Sequence, residues 1–295
     1  MRIAFIGCVA SSEHFLEALT QMECVEVVGV VTRERSEFNS DFVDLTPKCS
    51  RLGIPVFYQR LNDESGVIRF LKDSRPDLLY CFGWSFLLPE SVFRIPSIAS
   101  IGFHPAKLPQ NRGRHPIIWA LALGLNETAS TFFELQEEAD SGAIVSQVDI
   151  AISPCDTATT LYDKLMDIAV PQLVKLTQDF VENRVTFHAQ DHSKANYWRK
   201  RSFKDGQIDF RMSADAIFNL VRALAPPYPG AFLVHNEQQV IVPSCSKSGE
   251  VFSNNIEPGR VIKIEDTKIL IKCYGDEAIW LCGIEGHKIQ EGECL

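Results

Sequence analysis

At 295 residues the chain exceeds the commonest single-domain size and falls short of three full domains, which implies one large domain and one smaller one. Its net charge of -9 repels phosphate backbones and argues against nucleic acid as a partner. No apolar run reaches the length of a membrane span, and nine scattered cysteines lack a CxxC pair or metal-ligand spacing. The expectation is a cytoplasmic protein with reduced thiols, no membrane contact and no metal.

The run RIAFIG (2 to 7), a helix over Ser12 to Met22 and the β-branched run Val25 to Val31 predict a β-α-β opening. A short strand at Ile54 to Phe57, a helix over Glu64 to Lys72 and a buried strand at Asp77 to Phe82 continue the alternation. This predicts an α/β fold with a doubly wound, mostly parallel Rossmann-like sheet. The dinucleotide fingerprint itself is absent, because the first turn carries one glycine where three are needed. A strand is expected at Ile98 to Ile101, and the apolar run Ala143 to Val148 follows later.

Apolar residues from Leu161 to Leu176 recur at helical spacing, predicting a long helix over 157 to 182 that Pro171 kinks. Polar, basic composition then marks a boundary. A further helix, Ala214 to Ala223, stops before Pro226-Pro227, and five short β-type runs from Phe232 to Cys282 predict a small all-β barrel. The domain reading is a catalytic domain over 1–190, a linker over 191–206, and a C-terminal helix plus OB-like barrel over 207–295.

Two prolines and a glycine bracket His104, placing it in irregular backbone just after a strand, where α/β sheets put their ligands. Asp140 sits in the turn EADSG; facing His104, it would hold the imidazole in one tautomer and favour its protonated form. By residue type alone the two also read as a loop histidine and a turn-forming aspartate.

The strings HPAKLPQNRGRHPIIWAL and ADSGAIV, with FGWSFLLP (82 to 89) and the tail RALAPPYPGAF (222 to 232), resemble the folate-dependent formyltransferases. That family includes methionyl-tRNA formyltransferases and sugar-nucleotide N-formyltransferases. Its His and Asp stand 36 positions apart, as His104 and Asp140 do (140 minus 104 gives 36). Its usual Asn two residues before the His is replaced here by Gly102, which removes an oxyanion donor; Ser100, Asn111, His115 or a backbone N–H are the candidate substitutes.

The resemblance implies 10-formyltetrahydrofolate as formyl donor, walled by Phe82, Gly83, Trp84, Leu87, Leu108 and Asp140. Several of these apolar residues suit the core equally well. It further implies that Arg112, Arg114, His115, Tyr197, Arg199 and Arg201 face the acceptor, with arginine forks on a pyrophosphate. The string from Tyr197 to Arg201 also reads as a solvated basic linker.

The segment from Thr32 to Asp44 carries two positive and four negative charges, unlike the basic loop of the tRNA-directed branch. The expected acceptor is therefore the 3- or 4-amine of a nucleotide-linked amino deoxysugar, as in surface polysaccharide (lipopolysaccharide O-antigen) synthesis, with a homodimeric enzyme. Methionyl-tRNA formylation and formyltetrahydrofolate hydrolysis are the alternatives.

Overall fold

Burial on both faces makes the opening apolar run a central strand. In the computed structural model β1 (Arg2–Ile6) lies between β2 (Glu26–Thr32) and β4 (Leu78–Cys81), with Ile3 to Ile6 wholly inaccessible. The structure describes residues 1–35, 41–60, 63–284, 286 and 288–295. Residues 36–40 of the expected acidic segment, including Glu37, lie outside the described residues.

Helix α1 (Ala10–Thr20) joins β1 to β2 and buries Phe15, Leu16 and Leu19. Helix α2 (Thr46–Leu52), strand β3 (Val56–Tyr58) and helix α3 (Glu64–Ser74) follow. The Asp63 carboxylate caps α3 by accepting from the Gly66 N–H at 3.1 Å. After β4 come the single-turn α4 (Glu90–Phe93), β5 (Ala99–His104), the two-residue β6 (Arg112–Gly113), α5 (Pro116–Ala122), β7 (Glu127–Glu134) and β8 (Ile144–Ala151). The sheet order is β3-β2-β1-β4-β5-β7-β8, with β1 to β5 parallel and β7 antiparallel to β5. The mostly parallel sheet is as expected.

Strand β7 escapes the sequence pattern, because Thr128, Ser130 and Thr131 interrupt its apolar residues. Their hydroxyls are satisfied inside the protein: Thr128 donates to the Pro105 carbonyl (3.1 Å), Thr131 to that of Ala106 (2.7 Å) and Ser130 to Gln172 Oε1 (2.6 Å). A buried hydroxyl with a partner loses little, so the strand tolerates them.

Helix α6 (Ala158–Val181) runs unbroken through Pro171. The short β9 (Tyr197–Trp198) pairs in parallel with β6. Ser213 caps α7 (Ala214–Ala223) by accepting from the Ala216 N–H at 3.1 Å. Strands β10 (Ala231–His235) and β11 (Gln238–Val242) form one hairpin. The last four, β12 (Ser244–Lys247), β13 (Val261–Glu265), β14 (Lys268–Lys272) and β15 (Ala278–Cys282), form an antiparallel sheet of order β12-β15-β14-β13. The strands are β as expected and antiparallel, but their hydrogen bonds divide them between two sheets, among the described residues, instead of closing one ring.

The chain divides into two compact units. One comprises Met1–Pro116, Thr128–Ile150 and Asp163–Trp198; the other comprises Ile117–Glu127, Ala151–Tyr162 and Arg199–Leu295. The second unit therefore takes in two early segments that a contiguous reading leaves in the first.

Phe82, expected on a cofactor wall, is instead core. It is inaccessible to solvent, and its ring lies 5.0 to 6.2 Å from those of Phe5, Phe15, Tyr80, Phe103 and Phe132. Phe82→Ala is expected to destabilise the fold by about 3–5 kcal/mol in urea unfolding. A loss of less than about 0.5 kcal/mol, the range of surface substitutions, would show that the ring is not core.

Candidate active site

Antiparallel pairing with β7 extends β5 through residue 104, so His104 is the last residue of a strand and not part of the loop behind it. The residue is 5% exposed. Its Nε2 lies 2.8 Å from the Asn111 carbonyl oxygen. A carbonyl only accepts, so Nε2 carries the hydrogen and the neutral ring keeps its lone pair on Nδ1. The Asn111 carbonyl therefore selects the tautomer, a role the sequence reading gave to Asp140.

Asp140 lies across from that lone pair, with Oδ2 3.7 Å from Nδ1. This is ion-pair distance, longer than a hydrogen bond, and it puts a carboxylate beside any proton arriving at Nδ1. The same oxygen accepts from the Gly113 N–H at 2.8 Å. Asp140 adopts φ +55°, and Gly142 closes the turn so tightly that a Cβ there would collide with the Glu134 carbonyl. Gly113 has φ +104° and lies against the Trp198 carbonyl, so only glycine suits that position too.

Gly102 shares a face of β5 with Ser100 and His104 and is in register with Phe133. A Cβ at Gly102 would come within 2.7 Å of the Phe133 ring and 2.8 Å of Leu135. Apolar side chains thus take the volume that an asparagine would need. Ser100, one candidate substitute donor, is committed, its hydroxyl donating to the Phe93 carbonyl at 2.6 Å.

Arg112 does not face an acceptor. It is 1% exposed, donating to Gln190 Oε1 (3.2 and 2.7 Å), the Tyr197 hydroxyl (2.7 Å) and His192 Nδ1 (3.1 Å). The Tyr197 hydroxyl passes a hydrogen on to Glu138 at 2.5 Å, while its half-exposed ring stays open to solvent. Arg114 donates to the Ser85 carbonyl at 2.6 Å, and His115 adopts φ +58°.

The structure splits the basic string, since Tyr197 belongs to the first unit and Arg199 and Arg201 to the second. Arg199 binds the Asp205 carboxylate through both terminal nitrogens. That pairing, with Ser202, holds the Asp205 carboxyl far below the usual carboxylate range. Arg199 and Arg201 also lie over the Trp119 ring, at 5.3 and 4.7 Å from its centre. The fork expected to grip a pyrophosphate is thus already occupied by an internal carboxylate.

Among the remaining expected cofactor residues, Leu108 is buried at 2% exposure, and Gly83 packs against Val9 and Ser12. Leu87 stands open at 68%, beside a Trp84–Phe86 edge contact of 6.1 Å with Arg33 over both rings. A cavity of about 860 Å³ adjoins the Asp140 turn, with Phe93, Ser100, Leu135, Gln136, Glu138 and Ser141 among its lining residues. The sequence reading missed most of this wall; its one signal was the run ELQEE leading into the Asp140 turn. Among the described residues, no group of three or more His, Cys, Asp or Glu side chains could hold a metal ion.

Comparison with known proteins places this geometry. The bifunctional polymyxin resistance protein ArnA of Wigglesworthia glossinidia brevipalpis is 32% identical over 250 residues, 84% of this chain and 38% of that protein. The chain thus spans about two-fifths of that relative's length. The structure of WlaRD, a sugar 3N-formyl transferase in the presence of dTDP and 5-N-formyl-THF, superimposes with a TM-score of 0.72 at 14% identity, covering 97% of this chain and 99% of that one. The Helicobacter canadensis N-formyltransferase in complex with folinic acid and dTDP-3-aminofucose gives 0.73 at 16% identity, covering 95% and 98%. These two establish the shared fold. The family models described as formyl transferase and formyl transferase, C-terminal domain, match residues 1–177 and 201–294, and the chain belongs to the formyl transferase family.

Proposed function

We propose that this protein transfers a formyl group from 10-formyltetrahydrofolate to the 3- or 4-amine of a nucleotide-linked amino deoxysugar. The observation that carries the reading is the pairing of His104 and Asp140, with a ring lone pair on Nδ1 and a carboxylate beside it. WlaRD and the Helicobacter canadensis enzyme, described with dTDP or a dTDP-amino sugar and a formyl folate, support the substrate class.

The cavity beside the Asp140 turn is lined by Glu90, Glu134, Glu137 and Glu138 and by neither His104 nor Asp140, so the donor is assigned to the His104–Asp140 pair and not to that cavity. There 10-formyltetrahydrofolate would supply an activated formyl carbon. The chain's own contribution is proton handling. Nδ1 of His104 takes the proton that the attacking amine sheds, Asp140 and the Asn111 carbonyl stabilise the resulting imidazolium, and Nδ1 returns the proton to the departing nitrogen. Tyr197 presents an exposed aromatic face for the acceptor's base.

We place the reaction in the cytoplasm, in a homodimer serving surface polysaccharide synthesis. No helix among the described residues is long and apolar enough to cross a membrane. The charge of -9 argues against initiator tRNA as acceptor.

The test is an assay of tetrahydrofolate release with 10-formyltetrahydrofolate and a panel of nucleotide-linked 3-amino and 4-amino sugars. Release that depends on acceptor is expected. Release without acceptor would identify a hydrolase, and no release with any acceptor would overturn the reading.

His104→Asn and Asp140→Asn are each expected to lower kcat by about a hundredfold or more while leaving acceptor affinity unchanged, measured by calorimetry. Gly102→Asn is expected to require the Phe133 ring and the Leu135 side chain to shift, destabilising by about 1 kcal/mol, without raising turnover. Faster turnover in that variant would show that the two side chains give way and that an oxyanion donor was limiting.

A further inference from the structure

Asp140 is useful only while it stands opposite Nδ1 of His104, and its turn, closed by the Ser141 hydroxyl on the Glu138 carbonyl at 2.7 Å, is also held from outside. Its backbone, at φ +55°, is in a region that non-glycine residues adopt at a cost. The outside contact on the backbone of the turn is Gln190, 50 residues downstream (190 minus 140 gives 50). Gln190 is 7% exposed, and its Nε2 donates to the carbonyl oxygens of Asp140 at 2.8 Å and Gly142 at 2.6 Å.

The orientation of that amide follows from chemistry. Arg112 offers only donors, so the oxygen of Gln190 must face it, and the nitrogen must then face the two carbonyls. Arg112 is also covalently joined to Gly113, whose N–H holds the Asp140 carboxylate at 2.8 Å. One end of Asp140 is thus fixed by Gln190 and the other by Gly113, with Arg112 linking the two.

We propose that Gln190, oriented by Arg112, is a positioning residue that fixes Asp140 opposite His104. Its kinetic consequence rests on the formyl-transfer reading; its structural consequence does not. Gln190→Ala removes both halves of the clamp. Gln190→Glu keeps an acceptor for Arg112 but loses both donors and sets a carboxylate oxygen against two carbonyls, so it separates the clamp from Arg112 burial.

Two measurements on the full chain test this. Amide hydrogen exchange of Gly113, followed by NMR, reads the Asp140 contact without any reaction. In both variants that amide is expected to exchange about tenfold faster or more, while Phe5 and Leu79 in the central strands keep their protection. In the transfer assay, kcat is expected to fall about tenfold or more with KM for donor and acceptor within about twofold. In an Asp140→Asn background, Gln190→Ala should lower kcat further by less than about twofold, because the residue acts through Asp140.

Unchanged Gly113 exchange in both variants would overturn the proposal. So would a kcat loss that multiplies in full in the Asp140→Asn background, since a merely structural role is additive. A parent protein without transfer activity would defeat the functional reading, while Gly113 exchange would still decide the positioning claim.

Discussion

A guanidinium taken out of water must find acceptors for its hydrogens, and Arg112 is 1% exposed with no carboxylate in direct contact among the described residues. It meets this need with neutral groups, an amide oxygen, a phenol and an imidazole nitrogen, each drawn from the segment 190–197. Only the phenol passes the interaction on to a charge, through Glu138. Losing one such partner would leave a buried donor unsatisfied at about 1–3 kcal/mol. That demand brings segment 190–197 against the loop after β5, and Gln190, Tyr197 and β9 take their places as a result.

The site is built outward from this contact. His104 ends a strand, its tautomer set by the carbonyl of Asn111, whose own N–H is held by Asn196 Oδ1 at 2.8 Å. Asp140 stands in a left-handed turn that leaves its carboxylate 3.7 Å from the free ring nitrogen. Strained backbone of this kind persists only where surrounding contacts over-determine it. Gly102 shows the opposing pressure. Packing of Phe133 and Leu135 fills the volume where the family usually has asparagine, so this chain combines the His–Asp pair with apolar packing beside it.

Much of the architecture was legible in the amino-acid pattern. The β-α-β opening, the helix over Ala214–Ala223 and the short C-terminal strands follow from apolar periodicity and turn residues, which are local properties. Strand β7 was not legible, because Thr128, Ser130 and Thr131 look solvent-facing until the carbonyls of Pro105 and Ala106 and the Gln172 side chain are brought to them. The same holds for arginines. Arg112 and Arg199 read as ligand forks, yet one is buried on Gln190 and the other paired with Asp205. Residue type shows that a guanidinium needs acceptors and says nothing of whether the protein already supplies them.

The chemistry of residues 102 to 142 divides along this line. The sequence by itself determined which groups are present: a histidine and an aspartate 36 positions apart, a glycine where a donor is usual, and glycines at 113 and 142 that permit tight turns. Only the tertiary structure decided which nitrogen of His104 carries the hydrogen, how far Asp140 stands from the other, and which residue holds it there. Those outcomes depend on the hydrogen bond that His104 donates to the Asn111 carbonyl and on those that Gln190 donates to the Asp140 turn, and a hydrogen bond requires positions in space that linear order does not contain.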